Sequence, residues 1–120
     1  MDYLEIILKI VVALSIFNVW LLRGNKSTPF RGGNANSIKE EFAVYGLPGW
    51  VMVVVGTIKV VLALVLLVSI YYPAVEMIGA LGLAAMMLGA VSMHLKVKDS
   101  FKKTYPALLF LVLSLVIYLL

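Results

Sequence analysis

Four long apolar segments constrain this chain more than any other feature of its sequence. They cover about residues 3–22, 49–70, 74–94 and 101–120. An α-helix rises about 1.5 Å per residue, so a segment of roughly 20 residues crosses a hydrocarbon core about 30 Å thick. With 63% hydrophobic residues and a mean hydropathy of +1.08, the chain is too apolar for a soluble domain. The sequence predicts an all-α membrane protein, a single bundle of four transmembrane helices.

The composition also limits the chemistry that the chain can perform by itself. It contains no cysteine, which excludes disulfides, thiolate metal sites and dithiol redox chemistry of its own. One histidine cannot form a bis-His haem site or a His-rich metal site within one chain. The net charge of +4 comes from basic residues between apolar segments, so it indicates membrane topology rather than nucleic-acid binding. We expect no intrinsic cofactor, no metal and no nucleic-acid partner.

Basic residues predict the orientation of the helices. Eight of the ten basic residues lie in the first and third loops: Arg23, Lys26, Arg31, Lys39, Lys96, Lys98, Lys102 and Lys103. The second loop and both termini contain none. Because cytoplasmic loops are enriched in Lys and Arg, we expect the first and third loops in the cytoplasm and both termini outside. The predicted location is the plasma (inner) membrane.

The first loop is too long for a simple turn and contains its own helix signal. Ser37 and Glu40 form a capping box, which predicts a short amphipathic helix over about residues 38–45. The apolar stripe of this helix consists of Ile38, Phe42 and Tyr45. Glu41 lies at the edge of the stripe, and two interpretations stay open. It is either a solvated acid on an interfacial helix, or part of a lid that offers its carboxylate to a cavity on the cytoplasmic side.

Lys59 lies in the middle of the second apolar segment, midway between Pro48 and Ile70. A lysine at the bilayer midplane costs about 2.5–3.5 kcal/mol on insertion scales, so such residues usually face a bundle interior. We therefore expect Lys59 to point inward, on the helix face that it shares with Gly56 and Ala63. The lysine is either a functional cation or a structural counter-ion for a carboxylate.

Further polar and aromatic residues are candidates for binding or for helix contacts. His94 ends the third segment as a capping residue or as a functional imidazole, and Ser15 and Asn18 form a polar stripe that predicts hydrogen bonds across helices. Glu5 pairs with Lys9 near the membrane surface. The tryptophans Trp20 and Trp50 flank the first loop like an aromatic belt. Our ligand-binding candidates are Lys59, His94, Glu41, Arg31, Tyr45 and Asn18.

Several short motifs resemble those of the DoxX-like family of four-helix membrane proteins. They are Thr28-Pro29-Phe30-Arg31-Gly32, Glu40-Glu41-Phe42, Tyr45-Gly46-Leu47-Pro48, Gly56 with Lys59, Gly89-Ala90 with His94, and Pro106-Ala107-Leu108. The family takes its name from a membrane subunit linked to quinone-dependent thiosulfate oxidation, and some relatives are regarded as assembly factors. The bundle also resembles the vitamin K epoxide reductase-like group, but that group depends on cysteines, which this chain lacks.

Three functions from different classes follow from the residues and the resemblance. In the first, the protein binds a quinone or another lipophilic molecule as a subunit of a membrane redox system. Lys59 would then stabilise a developing quinone anion, His94 and Glu41 would relay protons, and a partner subunit would supply electrons. In the second, the protein is an assembly factor or accessory subunit that binds another membrane protein. In the third and weakest, it is a small homodimeric transporter, although Glu5 lies too near the surface for this function.

Overall fold

The computed structural model describes residues 2–24 and 30–120. Lys26 and the Thr28-Pro29 part of the first motif lie outside these residues. The helices are α1 (Tyr3–Phe17), α2 (Ile38–Val44), α3 (Gly49–Val68), α4 (Glu76–Lys96) and α5 (Phe101–Leu119). The four long helices and the short α2 in the first loop confirm the predicted fold class.

The four long helices form a closed ring around one core. α1 packs against α3 and α5, and α4 packs against the same two helices. The fully buried core residues include Val12 of α1, Leu66 of α3, Leu83 of α4 and Ile117 of α5. At Gly79, a Cβ atom would lie 3.1 Å from the backbone of Leu66, so glycine permits the close approach of α4 to α3.

Each long helix, with its flanking turns, is long and apolar enough to cross a membrane. The candidate spans are Tyr3–Leu22, Gly49–Val68, Pro73–Lys96 and Phe101–Leu119. A short 3₁₀ turn at Pro73–Val75 precedes α4, where proline is tolerated because the first N–H groups of a helix have no internal partner. Many of the outward-facing side chains are large and apolar, as lipid contact requires.

The last turn of the first span departs from α-helical geometry. α1 begins at its N-cap Asp2, whose side chain accepts a hydrogen bond from the Glu5 N–H at 2.9 Å. After Phe17 the chain continues as a π-helical turn, Asn18–Leu22. The wider turn changes the helical phase of its side chains relative to those of α1, and π turns of this kind are frequent at functional sites.

The capping box accounts for α2. The Ser37 hydroxyl accepts a hydrogen bond from the Glu40 N–H at 3.1 Å, which satisfies one of the free donors at the start of a helix. The helix ends before Gly46, whose φ of +78° is a conformation that glycine adopts without a steric penalty. All three residues of the predicted stripe, Ile38, Phe42 and Tyr45, are buried. α2 therefore lies with its apolar face against the bundle.

Candidate functional site

A cavity of about 400 Å³ lies between the π turn, the first loop and the adjoining ends of α4 and α5. Much of its wall is apolar: Ile16, Val19, Trp20, Met87, Ala107 and Phe110. Its polar lining consists of Ser15, Asn18, Arg23, Arg31, Glu41, His94 and Lys103. The cavity reaches the outer surface of the bundle along α1, because Asn18 and Val19 are also exposed.

Four of the six predicted ligand-binding candidates line this cavity: Asn18, Arg31, Glu41 and His94. The other two candidates, Tyr45 and Lys59, are not among the residues that line it. Residues from the first span, the first loop and α4, which are far apart in the sequence, thus meet at one end of the bundle.

Glu41 points from α2 into the bundle. Its Oε2 atom accepts a hydrogen bond from the Gly32 N–H at 2.5 Å, and it also accepts one from the Tyr45 hydroxyl. Its charge interacts with the buried cations Arg31 and Lys59. The neighbouring Lys39 and Glu40 are exposed instead. This is the orientation that the lid interpretation of α2 requires.

A chain of polar contacts leads from Glu41 through His94 to the turn between α4 and α5. The Tyr45 hydroxyl lies 3.5 Å from His94 Nε2, and His94 Nδ1 lies 2.7 Å from Asp99 Oδ2. A carboxylate can only accept, so Nδ1 donates to Asp99 and the hydrogen bond fixes the orientation of the imidazole. Sequence reasoning missed Asp99, because nothing in its local sequence shows that the turn brings it back to His94.

Asp99 also binds the first loop. Its Oδ1 atom accepts a hydrogen bond from the Gly33 N–H at 2.9 Å, and the Lys103 ammonium group donates to the Gly33 carbonyl oxygen. Lys96 Nζ donates to the carbonyl oxygen of Tyr45 at 3.0 Å. The end of α4 and the start of α5 therefore hold the loop and α2 against the cavity through several hydrogen bonds.

Burial changes the ionisation of two groups beside the cavity. Arg31 is 6% exposed, and burial lowers the pKa of its guanidinium group, while the charges of Glu41 and Tyr45 oppose this shift. One of its terminal nitrogens donates to the Arg23 carbonyl oxygen at 2.8 Å. The pKa of Tyr45 is raised, mainly by burial and further by the nearby charge of Glu41. The phenol therefore stays protonated at neutral pH and acts as a hydrogen-bond donor.

Lys59 faces the bundle interior, as predicted, and is 8% exposed. Its Nζ atom lies 5.3 Å from the centroid of the Trp20 ring, a cation–π distance. The Trp20 ring lines the cavity and Lys59 does not, so contact between Lys59 and a cavity ligand, as in the first hypothesis, stays a prediction. Two residues of the cavity lining, Trp20 and Glu41, interact with the lysine.

The assignment of Trp20 to an aromatic belt is wrong. Its ring packs edge-on against Phe42 at 6.0 Å between centroids. A Cβ atom at Gly56 would lie only 2.6 Å from Trp20 Cε3, so the glycine provides the space for the ring. Trp50, in contrast, is 69% exposed, as a belt residue is. Nothing in the sequence around Gly56 indicates that Trp20, 36 residues earlier in the chain, packs against it.

The polar stripe on α1 also differs from the prediction. The Ser15 hydroxyl donates to the Val11 carbonyl oxygen of its own helix at 2.7 Å rather than across helices. A serine in a helix forms this bond readily, because the carbonyl four residues earlier is within reach. Ser15 and Asn18 nevertheless both line the cavity.

A second polar cluster lies at the opposite end of the bundle. Lys9 is completely buried, and its Nζ atom lies 3.9 Å from Glu5 and 3.8 Å from Glu76. Glu5, which was expected near the membrane surface, lies in the first turn of α1, and its side chain is turned inward and only 8% exposed. Within the described part of the chain, no group of three or more His, Cys, Asp or Glu side chains is arranged to hold a metal ion.

The fold and the cavity define an integral membrane protein of the four-helix class. A sequence profile of the DoxX-like family matches residues 30–117, from the first loop to near the end of α5. The chain therefore belongs to the DoxX-like family, and the resemblance inferred from the motifs is confirmed. Comparisons with curated proteins and with solved structures found no match.

Proposed function

We propose that this DoxX-like protein binds a quinone, or another lipophilic molecule with a polar head, as a subunit of a membrane redox system. The observation that supports this proposal is the cavity itself. Its wall is largely apolar, and several polar side chains converge at its loop end. Sites for small organic ligands commonly combine these two properties and have volumes of roughly 300–1,000 Å³.

The size and exposure of the cavity suit a ligand that arrives from the bilayer. A volume of about 400 Å³ accommodates a substituted ring but not a long isoprenoid tail. The exposed residues Asn18 and Val19 mark the edge where such a tail would leave the bundle. Arg31 and Asn18 carry donors for the carbonyl oxygens of a quinone head, and the Trp20 and Phe110 side chains would pack against its ring.

The polar contacts that link His94 to Asp99 would provide a route for protons in the proposed redox role. His94 contacts the cavity, and Asp99 links it to the turn between α4 and α5. By the distribution of basic residues, we place this turn on the cytoplasmic side. His94 would exchange protons with a bound quinone, and Asp99 would keep its imidazole oriented. Electrons would come from a partner protein.

Mass spectrometry of small molecules extracted from gently purified protein tests the proposal. We expect a co-purifying quinone or related lipophile in the wild type. Ala107→Leu places a larger side chain in the cavity wall and should remove it, whereas Ala85→Leu, on the exposed face of α4, should retain it. Equal ligand content in the two variants, or no bound lipophile and no binding of added decylubiquinone, would contradict the proposal.

A second candidate function is that of an assembly factor or accessory subunit. One observation favours it: Ala85 and Gly89 lie one turn apart on the exposed face of α4, and nothing lies within 4 Å of a Cβ atom built at Gly89. Small residues on a lipid-facing surface allow a second helix to approach closely. In this case Gly89→Leu should abolish co-purification of a membrane partner, and Ala107→Leu should not affect it.

A further inference from the structure

The loop end of the cavity has an excess of cationic groups. Arg23, Arg31 and Lys103 contribute three formal positive charges to its described lining, and Glu41 contributes one negative charge. A further acid at this end of the bundle, Asp99, is hydrogen-bonded to His94 and to the Gly33 N–H. The described lining therefore carries a net formal positive charge.

Glu41 cannot neutralise this excess by itself. Its carboxylate already accepts hydrogen bonds from the Gly32 N–H and the Tyr45 hydroxyl. Glu41 also interacts with Lys59, a buried cation that lies over the ring of the cavity residue Trp20. One carboxylate thus serves two buried cations, Arg31 and Lys59, in addition to its neutral donors.

Arg31 is the most buried of the three cations in the lining, at 6% exposed. Burial lowers the pKa of its guanidinium group by more than Glu41 and Tyr45 raise it. Arginine nevertheless stays protonated in proteins at neutral pH. A buried cation in surroundings of low dielectric constant gains most from an anion placed beside it. A neutral ligand head would fill the space without supplying that charge.

We propose that the cavity selects lipophiles whose polar head is an ionised acid, such as the enolate of a hydroxyquinone or the carboxylate of a fatty acid, over neutral lipophiles of the same shape. This inference rests on the proposed function, because it requires that the cavity binds a lipophile. It adds to the proposed function that the polar head of the ligand is anionic rather than neutral. The apolar wall formed by Trp20, Met87 and Phe110 would contact the hydrophobic part, and Arg31 and Lys103 would face the charged head.

Two matched pairs of probes test the inference. The first pair is a 3-alkyl-2-hydroxy-1,4-naphthoquinone and its 2-methoxy ether, measured above the pKa of the hydroxyl group. The second pair is oleate and methyl oleate. Binding to the full-length protein in phosphatidylcholine nanodiscs is measured by equilibrium dialysis, with empty nanodiscs correcting for partition into lipid. We expect the anionic member of a pair to bind about tenfold or more tightly than the neutral member, as a charge-assisted contact gives.

Three variants assign the preference to the cationic groups. Arg31→Gln should reduce the preference for the anionic probe at least severalfold, and Arg31→Lys should retain part of it. Lys103→Gln gives an independent test should Arg31→Gln fail to fold. Lys102→Gln, which removes an exposed lysine outside the described cavity lining, is the matched control and should behave as the wild type.

The outcomes separate this inference from the proposed function. Equal affinities for the ionised and neutral members of both pairs would overturn the charge selectivity and leave the binding function standing. A preference that survives both Arg31→Gln and Lys103→Gln would overturn the assignment to these residues. Binding of oleate without either naphthoquinone would support an anionic head and contradict a quinone ligand. Failure of all four probes to bind would overturn both proposals.

Discussion

Among the residues that the structure describes, two lysines, Lys9 and Lys59, are buried in the bundle, and they differ in the number of carboxylates that they compensate. Lys9 lies within 4 Å of two carboxylates, Glu5 and Glu76, which have little exposed side-chain surface. Lys59 lies over the Trp20 ring and interacts with Glu41, which keeps its hydrogen bonds from Gly32 and Tyr45 without the lysine. Removing a lysine should therefore leave an uncompensated charge in one case and not in the other.

We predict that Lys59→Met changes stability much less than Lys9→Met. Loss of the cation–π contact of Lys59 costs up to about 2 kcal/mol, and relief from burying its charge offsets this cost. Lys9→Met removes the cation between the buried Glu5 and the partly exposed Glu76 and should cost about 3–5 kcal/mol. Thermal unfolding of both variants in the same detergent measures the difference. Equal losses would mean that Lys59 is a structural counter-ion after all.

Gly56 gives a second prediction at the scale of one residue. In Gly56→Ala, the new methyl group would overlap the Trp20 ring, which must then move. We expect a loss of about 1–3 kcal/mol from overpacking and a changed fluorescence spectrum in a Trp50→Phe background, where Trp20 is the remaining tryptophan. Gly89→Ala is the control, because an exposed helical glycine gains roughly 0.5–1 kcal/mol on replacement by alanine. An unchanged spectrum would contradict the close contact.

At the scale of elements, the turn between α4 and α5 holds the first loop in place. Asp99 uses one carboxylate oxygen for His94 and the other for the Gly33 N–H. A single side chain therefore connects the cavity histidine to the loop that precedes α2. Lys103 and Lys96 add hydrogen bonds to backbone carbonyl oxygens in the loop and at the end of α2.

We predict that Asp99→Ala loosens the first loop while leaving the four long helices intact. The variant loses the Gly33 hydrogen bond and the charged partner of His94, which together should cost about 2–4 kcal/mol locally. Hydrogen–deuterium exchange should speed up at residues 31–35 and in α2. Lys102→Ala, an exposed change at the start of α5, should exchange like the wild type. Uniformly faster exchange in all helices would instead indicate a global loss of stability.

Features that depend on neighbouring residues or on the membrane alone could be predicted from the sequence, and features that depend on distant packing could not. α2 could be predicted because the capping box of Ser37 and Glu40 and the spacing of the stripe act within one helical turn or two. The inward direction of Lys59 followed from the insertion cost of a charge, which is independent of its neighbours. The roles of Asp99 and Trp20 could not be predicted, since each depends on which distant segment packs against it.

At the scale of the whole molecule, the basic residues are concentrated at one end, whereas the acidic residues are divided between the two ends. The acids Asp2, Glu5 and Glu76 lie at the starts of α1 and α4. The end formed by the first loop and the α4–α5 turn contains most of the basic residues and the cavity. Because positively charged loops are retained in the cytoplasm during insertion, this distribution of basic residues predicts a cytoplasmic location for the cavity.

Cysteine labelling in intact cells tests this orientation, and a chain without native cysteine needs no prior substitutions. Asn36→Cys and Ser100→Cys introduce exposed thiols at the cavity end, and Tyr71→Cys introduces one in the second loop, where the tyrosine is 92% exposed. We expect a membrane-impermeant maleimide to label only Tyr71→Cys until the membrane is permeabilised. The opposite pattern would place the cavity at the outer face, and the proposed proton route through His94 and Asp99 would then lead to the exterior.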